Sequence, residues 1–291
     1  MKGTEIERVG VLGCGLMGSG IAEVCARNGR DVVVVEATPT LVEAGRARVE
    51  KSLGGALNRG KLSEADHDAA LARLDFTDDW SAFADRDMVI EAISEDQNLK
   101  VEAFRRLDDV VTNVEAVLAS NTSSIPIMKL ATATRRPEQV IGIHFFNPVP
   151  VLPLVELVAS LMTSPDTADT AGSFAGDVLG KHVIRSQDRA GFVVNALLIP
   201  YLLSAIRMME SGFATAEDID AGMVHGCAHP MGPLALTDLI GLDTTMAVAE
   251  SMYTEFKEPL YAPPPLLSRM VEAGLLGRKT GRGFFNYARS A

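Results

Sequence analysis

Two short apolar runs near the start of the chain enclose a glycine-rich turn and a helical segment. The first run extends from Val9 to Leu12 and the second from Val32 to Val35, and each has the length of a buried strand. Between them lies the sequence GCGLMGSGIAEVCARNG, in which small and apolar residues recur at helical spacing after the first glycines. The pattern predicts a strand, a tight turn, a helix and a second strand.

The turn has the glycine spacing that a bound dinucleotide requires. Gly13 permits the tight turn, Gly15 lets the backbone approach a pyrophosphate, and Gly18 lets the helix pack against the strand. The first amides of the helix have no partner within it and can face phosphate oxygens. The predicted cofactor contacts in this turn are Gly13, Gly15, Leu16, Met17 and Gly18.

The acid that closes the second strand favours NAD over NADP. Glu36 follows the glycine turn at the distance where an acid contacts the adenosine ribose in such units. Its carboxylate can accept two hydrogen bonds from the ribose diol. At ~8 Å and an effective dielectric constant of ~20, it would repel a 2′-phosphate by ~2 kcal/mol before screening by salt.

Further along the chain, apolar strands alternate with helical stretches. The pattern predicts a helix at 39–60 and strands at 85–93, 116–120, 140–146 and 182–185. This alternation is typical of an α/β fold with a Rossmann-type doubly wound, mostly parallel sheet. Because ligands bind beyond the carboxyl ends of the strands in such sheets, the polar residues that follow the strands are the candidates for chemistry.

The pattern changes to long helical stretches after a boundary near Ser186–Ala190. Helices are predicted within 192–209, 216–223, 233–252 and 266–273, with breaks at glycines and prolines. The sequence therefore predicts two domains. Residues 1–187 would form the NAD-binding domain and residues 188–291 an all-helical substrate and dimerisation domain.

Composition excludes several other classes of protein. With 291 residues, 47% of them hydrophobic and 22% charged, the chain is typical of a soluble globular protein. A net charge of −11 without a basic block argues against nucleic acid as a partner, and no apolar run approaches the length of a membrane span. The first strand begins almost at once, which leaves no room for a signal peptide.

The cysteines and histidines predict neither a disulfide framework nor a metal site. The three cysteines are isolated and odd in number, which fits a cytoplasmic location. His225, Cys227 and His229 lie close together in the sequence but lack an evident fourth ligand.

One histidine and one acid are the candidates for proton transfer. His144 lies near the carboxyl end of a predicted strand, where a nicotinamide should be, although a core histidine bonded to a backbone carbonyl would occupy a similar position. Glu156 is the only acid in the apolar stretch 149–162, and an unpaired buried carboxylate there would be costly. Prolines before it predict a hairpin-like return that pairs Glu156 with His144. Such a pair fixes the tautomer and leaves the other ring nitrogen for proton transfer.

Six stretches of the sequence resemble the L-3-hydroxyacyl-CoA dehydrogenase family over nearly the whole chain, and within it the short-chain 3-hydroxybutyryl-CoA dehydrogenases. These stretches are GVLGCGLMGSGIA, SNTSS from Ser120, HFFNPVPVLPLVE from His144, AGFVVNALLIPYL from Ala190, HPMGPLALTDLIGLD from His229 and GRKTGRGFFNY from Gly277. The resemblance implies NAD-dependent, reversible oxidation of a 3-hydroxyacyl-CoA to a 3-ketoacyl-CoA by a homodimer.

The resemblance also implies roles for individual residues. His144 would be the general acid and base, oriented by Glu156, while Ser123 and Asn195 would bind the reacting oxygen or the substrate. Further cofactor contacts would come from Glu95, Lys100, Asn121, Ser123, Asn147 and Lys279. Ser52 and Arg59 would contact the CoA moiety. From the residues alone, Ser123 and Asn195 could equally be helix caps or packing residues, and Ser52 and Arg59 part of a solvated helical face.

Two rival functions remain open at this stage. The same scaffold could oxidise a free hydroxy acid or sugar acid, as relatives resembling lambda-crystallin do. A non-catalytic nucleotide- or acyl-CoA-binding protein could also retain the fold, although the presence of His144, Glu156, Ser123 and Asn195 argues against it.

Overall fold

The computed structural model describes residues 2–287, and the chain folds into two compact units. The first unit extends to Asp188 and the second begins at Arg189, one residue beyond the boundary expected from the sequence.

The first unit contains one eight-stranded sheet with the strand order β3-β2-β1-β4-β5-β6-β7-β8. The strands are β1 (Arg8–Leu12), β2 (Asp31–Val35), β3 (Leu74–Thr77), β4 (Met88–Glu91), β5 (Val117–Ser120), β6 (Val140–Phe145), β7 (Leu154–Ala159) and β8 (His182–Gln187). The first six are parallel, β7 is antiparallel to β6, and β8 is parallel to β7. The predicted mostly parallel, doubly wound sheet is therefore confirmed.

Helices accompany these strands along the first unit. They are α1 (Leu16–Arg27), α2 (Pro39–Asn58), α3 (Glu64–Leu71), α4 (Gln97–Val110), α5 (Ile127–Ala131) and α6 (Pro165–Ser173), which a π-helical turn, Phe174–Val178, extends. The central strands β4, β5 and β6 are buried at every position, because residues on both faces of the sheet are covered. This explains why their sequences are continuous apolar runs.

The second unit is helical, as predicted. Its helices are α7 (Val194–Glu210), α8 (Ala216–Cys227), α9 (Pro233–Ile240), α10 (Leu242–Phe256) and α11 (Pro265–Glu272). Their core includes Leu203, Leu234, Leu242 and Met252. The predicted helical stretch 233–252 is divided at Gly241, whose φ of +104° is unfavourable for a residue with a side chain.

The antiparallel strand β7 was predicted from the sequence, whereas the edge strand β3 was not. The predicted return after the prolines is confirmed by the β6–β7 pairing. The edge strand β3 escaped prediction because it has four residues and only Phe76 among them is buried. Within residues 2–287, no helix combines the length and the hydropathy needed to cross a bilayer.

Replacing Gly18 by alanine should destabilise the first unit. A β-carbon at this position would overlap the carbonyl oxygen of Gly13, which belongs to the backbone of the turn and cannot rotate away. We expect Gly18→Ala to lower the free energy of unfolding by about 1–3 kcal/mol. Chemical denaturation of the purified variant measures this value.

The matched control is Gly54→Ala in α2, another helical glycine of the same unit. A β-carbon there meets no atom within 4 Å. The substitution should raise the free energy of unfolding by about 0.5–1 kcal/mol, because alanine is the better helix former. Equal stability of Gly18→Ala and the wild type would contradict the packing of α1 against the turn.

Candidate active site

The carboxyl ends of four neighbouring parallel strands bring the polar loops of the first unit together. Leu12 of β1 is in register with Glu91 of β4, and Glu91 with Ser120 of β5. Ser120 is in turn in register with Gly142 of β6. The glycine turn, the loops after β4 and β5, and the end of β6 at Phe145 therefore lie at one edge of the sheet, where such folds bind ligands.

The glycine turn has the shape that a dinucleotide requires. Gly13 adopts a φ of +90°, and its amide donates a hydrogen bond to the carbonyl oxygen of Val35 at 2.8 Å. Gly15 lies at the start of α1, and a β-carbon there would project into open space. Leu16, the next residue, is 65% exposed despite its apolar side chain. Open space at Gly15 and an uncovered apolar side chain beside it fit a ligand that packs on this turn.

Glu36 contacts the same turn directly. Its Oε1 accepts a hydrogen bond from the Cys14 amide at 2.5 Å, and its Oε2 accepts one from the Ala37 amide at 3.2 Å. Arg48 of α2 donates a hydrogen bond to the Cys14 carbonyl oxygen at 2.5 Å. Burial, reinforced by the Glu36 carboxylate, raises the pKa of the Cys14 thiol to about 12, so Cys14 is a packing residue and a poor nucleophile.

His144 and Glu156 form the predicted pair. They are opposite each other in the antiparallel β6–β7 ladder, and Nδ1 of His144 lies 2.7 Å from Oε2 of Glu156. Both residues are buried, and the carboxylate side chain is 0% exposed. The ring of His144 packs at 4.6 Å, centroid to centroid, from the ring of Phe146. The pairing compensates the burial of the carboxylate and selects Nε2 as the ring nitrogen that Glu156 does not bind.

Asn121 connects the end of β5 to the end of β6. Its side-chain oxygen accepts a hydrogen bond from the Phe145 amide at 2.9 Å, next to His144. This hydrogen bond holds the end of the strand that carries the histidine. Asn147 follows β6, is exposed and precedes a cis peptide bond to Pro148. Their contacts with a cofactor stay predictions.

Glu95 organises the loop that carries Ser123. Its Oε1 accepts hydrogen bonds from the Thr122 hydroxyl, the Ser123 amide and the Ser124 hydroxyl, at 2.5, 3.0 and 3.0 Å. The Ser123 hydroxyl donates a longer hydrogen bond to the same oxygen, at 3.4 Å. Burial acts to raise the pKa of Glu95, but the Lys100 ammonium and these donors outweigh it and lower the pKa overall. Glu95 is therefore a carboxylate anion at neutral pH.

Lys100 lies deeper than a simple cofactor contact would suggest. Its side chain is 1% exposed, and its Nζ lies 2.5 Å from Oε1 of Glu91 and 3.2 Å from Oε2 of Glu95. Lys100 is thus engaged by two carboxylates of the protein, and a direct contact with the cofactor stays a prediction.

Glu91 is the residue of this site that sequence analysis missed. Its side chain is 0% exposed and ends the otherwise apolar strand β4. Glu91 carries the same signal as Glu156, since each is a single acid in an apolar stretch and a buried carboxylate requires partners.

The remaining predicted residues belong to segments other than the loops at the carboxyl ends of these strands. Ser52 of α2 and Arg59 at its C-terminal end are both exposed. In the second unit, Asn195 lies in the first turn of α7, and Lys279 forms an ion pair with Asp243 at 2.6 Å. Their assigned roles stay predictions.

The described part of the chain holds no cluster of three or more histidine, cysteine, aspartate or glutamate residues that could bind a metal ion. His225 and Cys227 lie at the end of α8, and the ring of His229 contacts the hydroxyl of Tyr201 at 3.2 Å.

Both units match models of one protein family. Residues 8–189 match the model described as "3-hydroxyacyl-CoA dehydrogenase, NAD binding domain". Residues 191–287 match the model described as "3-hydroxyacyl-CoA dehydrogenase, C-terminal domain".

Individual relatives are similar along their full length. The chain is 61% identical over 282 residues to a 3-hydroxybutyryl-CoA dehydrogenase of Mycobacterium tuberculosis, covering 97% of this chain and 99% of the relative. The crystal structure of FadB2 from M. tuberculosis has a TM-score of 0.96 at 61% identity, with 97% of this chain and 99% of that one covered. The (S)-3-hydroxybutyryl-CoA dehydrogenase of Ralstonia eutropha has a TM-score of 0.92 at 47% identity, with 98% and 100% covered.

Proposed function

The chain belongs to the 3-hydroxyacyl-CoA dehydrogenase family, and from this we propose that it interconverts L-3-hydroxybutyryl-CoA and acetoacetyl-CoA with NAD. The observation that carries the proposal is the buried His144–Glu156 pair at the ligand-binding edge of the sheet, in the unit that also contains the glycine turn. A hydroxyl group that loses a hydride from its carbon must also lose a proton, and an imidazole is suited to accept it near neutral pH.

The glycine turn and Glu36 would hold the cofactor. The open space at Gly15 leaves room for a pyrophosphate against the start of α1. Each Glu36 oxygen accepts one backbone amide and would accept a ribose hydroxyl at its second lone pair. NAD supplies the hydride acceptor of the oxidation when it is bound there. We assign further cofactor contacts to Leu16, Met17, Glu95, Lys100, Asn121, Asn147 and Lys279.

His144 performs the proton transfer at Nε2. The carboxylate of Glu156 accepts the Nδ1–H, which fixes the tautomer and leaves Nε2 with its lone pair directed to the substrate. During oxidation Nε2 takes the proton of the 3-hydroxyl group, and the nearby carboxylate stabilises the imidazolium that forms. During reduction the same proton returns to the 3-oxygen.

Ser123 and Asn195 would bind the oxygen on which charge develops. A hydroxyl and a side-chain amide donate hydrogen bonds that strengthen as the oxygen becomes more negative, so they stabilise the transition state more than the ground state. The contacts from Glu95 to the Ser123 amide and its neighbours hold the loop that presents this hydroxyl.

Ser52 and Arg59 would recognise the CoA moiety. Both are exposed near the end of α2, and a guanidinium at Arg59 suits a phosphate group. A substrate without CoA cannot use these contacts, which separates the proposed reaction from the oxidation of a free hydroxy acid.

The assembly and the location are part of the same proposal. We assign a homodimer formed through the helical unit, whose helix α7 exposes Leu197 to 75% and Met208 to 42%. The cytoplasm is the proposed location, since all three cysteines are free thiols.

Replacing His144 by glutamine should abolish turnover and spare cofactor binding. Glutamine retains a polar side chain but cannot exchange a proton near neutral pH, so kcat for the reduction of acetoacetyl-CoA by NADH should fall about 10²–10⁴-fold. Steady-state absorbance at the NADH band gives kcat, and fluorescence titration gives the Kd of NADH.

The control for this variant is His182→Gln. His182 is exposed at the start of β8, so its replacement should leave kcat unchanged. A His144→Gln variant that retains the kcat of the wild type would refute the proposed mechanism.

Replacing Arg59 by alanine should weaken the binding of the CoA substrate. The loss of one exposed guanidinium–phosphate contact should raise the KM for acetoacetyl-CoA about fivefold to tenfold with little change in kcat. Arg73→Ala is the control, because Arg73 precedes β3 at the opposite edge of the sheet and pairs with Asp31. Turnover of free acetoacetate as efficient as that of acetoacetyl-CoA would overturn the assignment of a CoA substrate.

A further inference from the structure

Glu91 is a fully buried carboxylate at the ligand-binding edge to which the proposed mechanism gives no task. Its Oε1 lies 2.5 Å from the Lys100 ammonium and accepts a hydrogen bond from the Ile93 amide at 2.8 Å. Its Oε2 accepts a hydrogen bond from the Ser120 hydroxyl at 2.6 Å. These partners belong to β5, to α4 and to the loop between β4 and α4, so one side chain joins three segments.

Lys100 links the buried Glu91 to the more exposed Glu95. Its ammonium is buried and bridges the carboxylate of Glu91, which is 0% exposed, and that of Glu95, which is 37% exposed. A buried ammonium requires such compensation, and the two carboxylates together fix its position. The orientation of Glu95 therefore depends on the charge that Glu91 presents to Lys100.

Glu95 in turn holds the backbone of Ser123. One carboxylate oxygen accepts hydrogen bonds from the Ser123 amide and from the hydroxyls of Ser123 and its two neighbours, while the other oxygen faces Lys100. A shift of this carboxylate would move all three loop residues together. Displacements of about 1 Å at a group that contacts the reacting atoms are enough to cost a large factor in rate.

We propose that Glu91 is a positioning residue that fixes Ser123 for the reaction through Lys100 and Glu95. The inference rests on the proposed function, which assigns the Ser123 hydroxyl to the reacting oxygen. Glu91 itself touches neither substrate nor cofactor in this account. Its effect on turnover passes through the two ion pairs and the four hydrogen bonds that end at the loop after β5.

The first test is the variant Glu91→Gln. Glutamine keeps the size and an acceptor for the Ser120 hydroxyl but removes the negative charge. The Lys100 ammonium then has Glu95 as its one remaining carboxylate partner, beside the Ile93 carbonyl oxygen, and draws that carboxylate inward. We expect kcat for acetoacetyl-CoA reduction to fall about tenfold or more, with a smaller change in the KM for acetoacetyl-CoA. An unchanged kcat in a folded Glu91→Gln protein would overturn the proposal.

The second test asks whether the effect passes through Ser123. In a Ser123→Ala background the loop has no hydroxyl to position, so adding Glu91→Gln should lower kcat by less than about twofold. Losses that multiply independently in the double variant would overturn the proposal, because a residue that only supports the fold would affect both backgrounds alike.

Asp87, the residue before the strand that Glu91 ends, provides a matched control. It precedes β4, is buried, and accepts hydrogen bonds from the Glu7 and Arg8 amides and the Arg8 guanidinium at the opposite edge of the sheet. Asp87→Asn should lower the melting temperature and leave kcat within about twofold of the wild type. A fall in kcat equal to that of Glu91→Gln would show that general loss of stability explains both, and would refute positioning.

Two further results keep the test decisive. If Glu91→Gln does not fold at the assay temperature, Glu91→Gln/Lys100→Met removes both buried charges and takes its place. Because Lys100 is also a proposed cofactor contact, kcat is then compared at saturating NADH, with the Kd of NADH measured alongside. A wild-type protein that fails to reduce acetoacetyl-CoA would refute the proposed function. If the wild type is active but Glu91→Gln lowers kcat by the same factor with and without Ser123→Ala, only the role of Glu91 is refuted.

Discussion

The hydrogen bond between His144 and Glu156 is the constraint on which the arrangement of this site depends. A carboxylate with no exposed surface is tolerated only where a partner compensates it, and here the compensation comes from an imidazole at 2.7 Å. The reversal of chain direction between β6 and β7 makes the contact possible, because it sets the two residues opposite each other in neighbouring strands. If β7 had instead been parallel to β6, a long crossover connection would have been needed, and His144 and Glu156 would not have been paired in this way.

A buried ion pair between Glu91 and Lys100 complements this hydrogen bond at the same edge of the sheet. Glu91 and Lys100 join the ends of β4 and β5 to the start of α4, and Asn121 joins the end of β5 to β6 beside His144. The parallel strands bring their ends to one edge, and these polar contacts then determine how the connecting loops lie there. The parallel sheet therefore determines where the site lies, and the buried polar contacts determine how its side chains are arranged.

Several of these features could be predicted from the sequence because they follow from local patterns. The glycine spacing, the acid at the end of β2 and the apolar runs of β1, β4 and β6 each occupy a few consecutive residues. The pairing of His144 with Glu156 was accessible because a single acid in an apolar stretch must find a partner. Glu91 met the same criterion and was missed, since its strand resembled an ordinary buried strand when considered by itself.

Other features depend on contacts between distant residues and were out of reach. The hydrogen bond from Phe145 to Asn121 joins residues 24 positions apart, and the one from the Ser123 amide to Glu95 joins residues 28 positions apart. The local sequence does not indicate these contacts, because Asn and Ser residues that follow a strand are equally typical of turns and helix caps. The edge strand β3 was missed for the opposite reason: it buries too little to leave an apolar signature. Functional roles for Ser123, Asn195, Ser52 and Arg59 came from family resemblance alone.

The most direct measurement is a crystal structure of the protein with NAD and acetoacetyl-CoA bound together. We expect Nε2 of His144 to lie within hydrogen-bond distance, about 3 Å, of the 3-oxygen of the substrate, while Glu156 remains bonded to Nδ1. A bound substrate whose 3-oxygen contacts other groups, with the nicotinamide facing away from His144, would contradict this expectation.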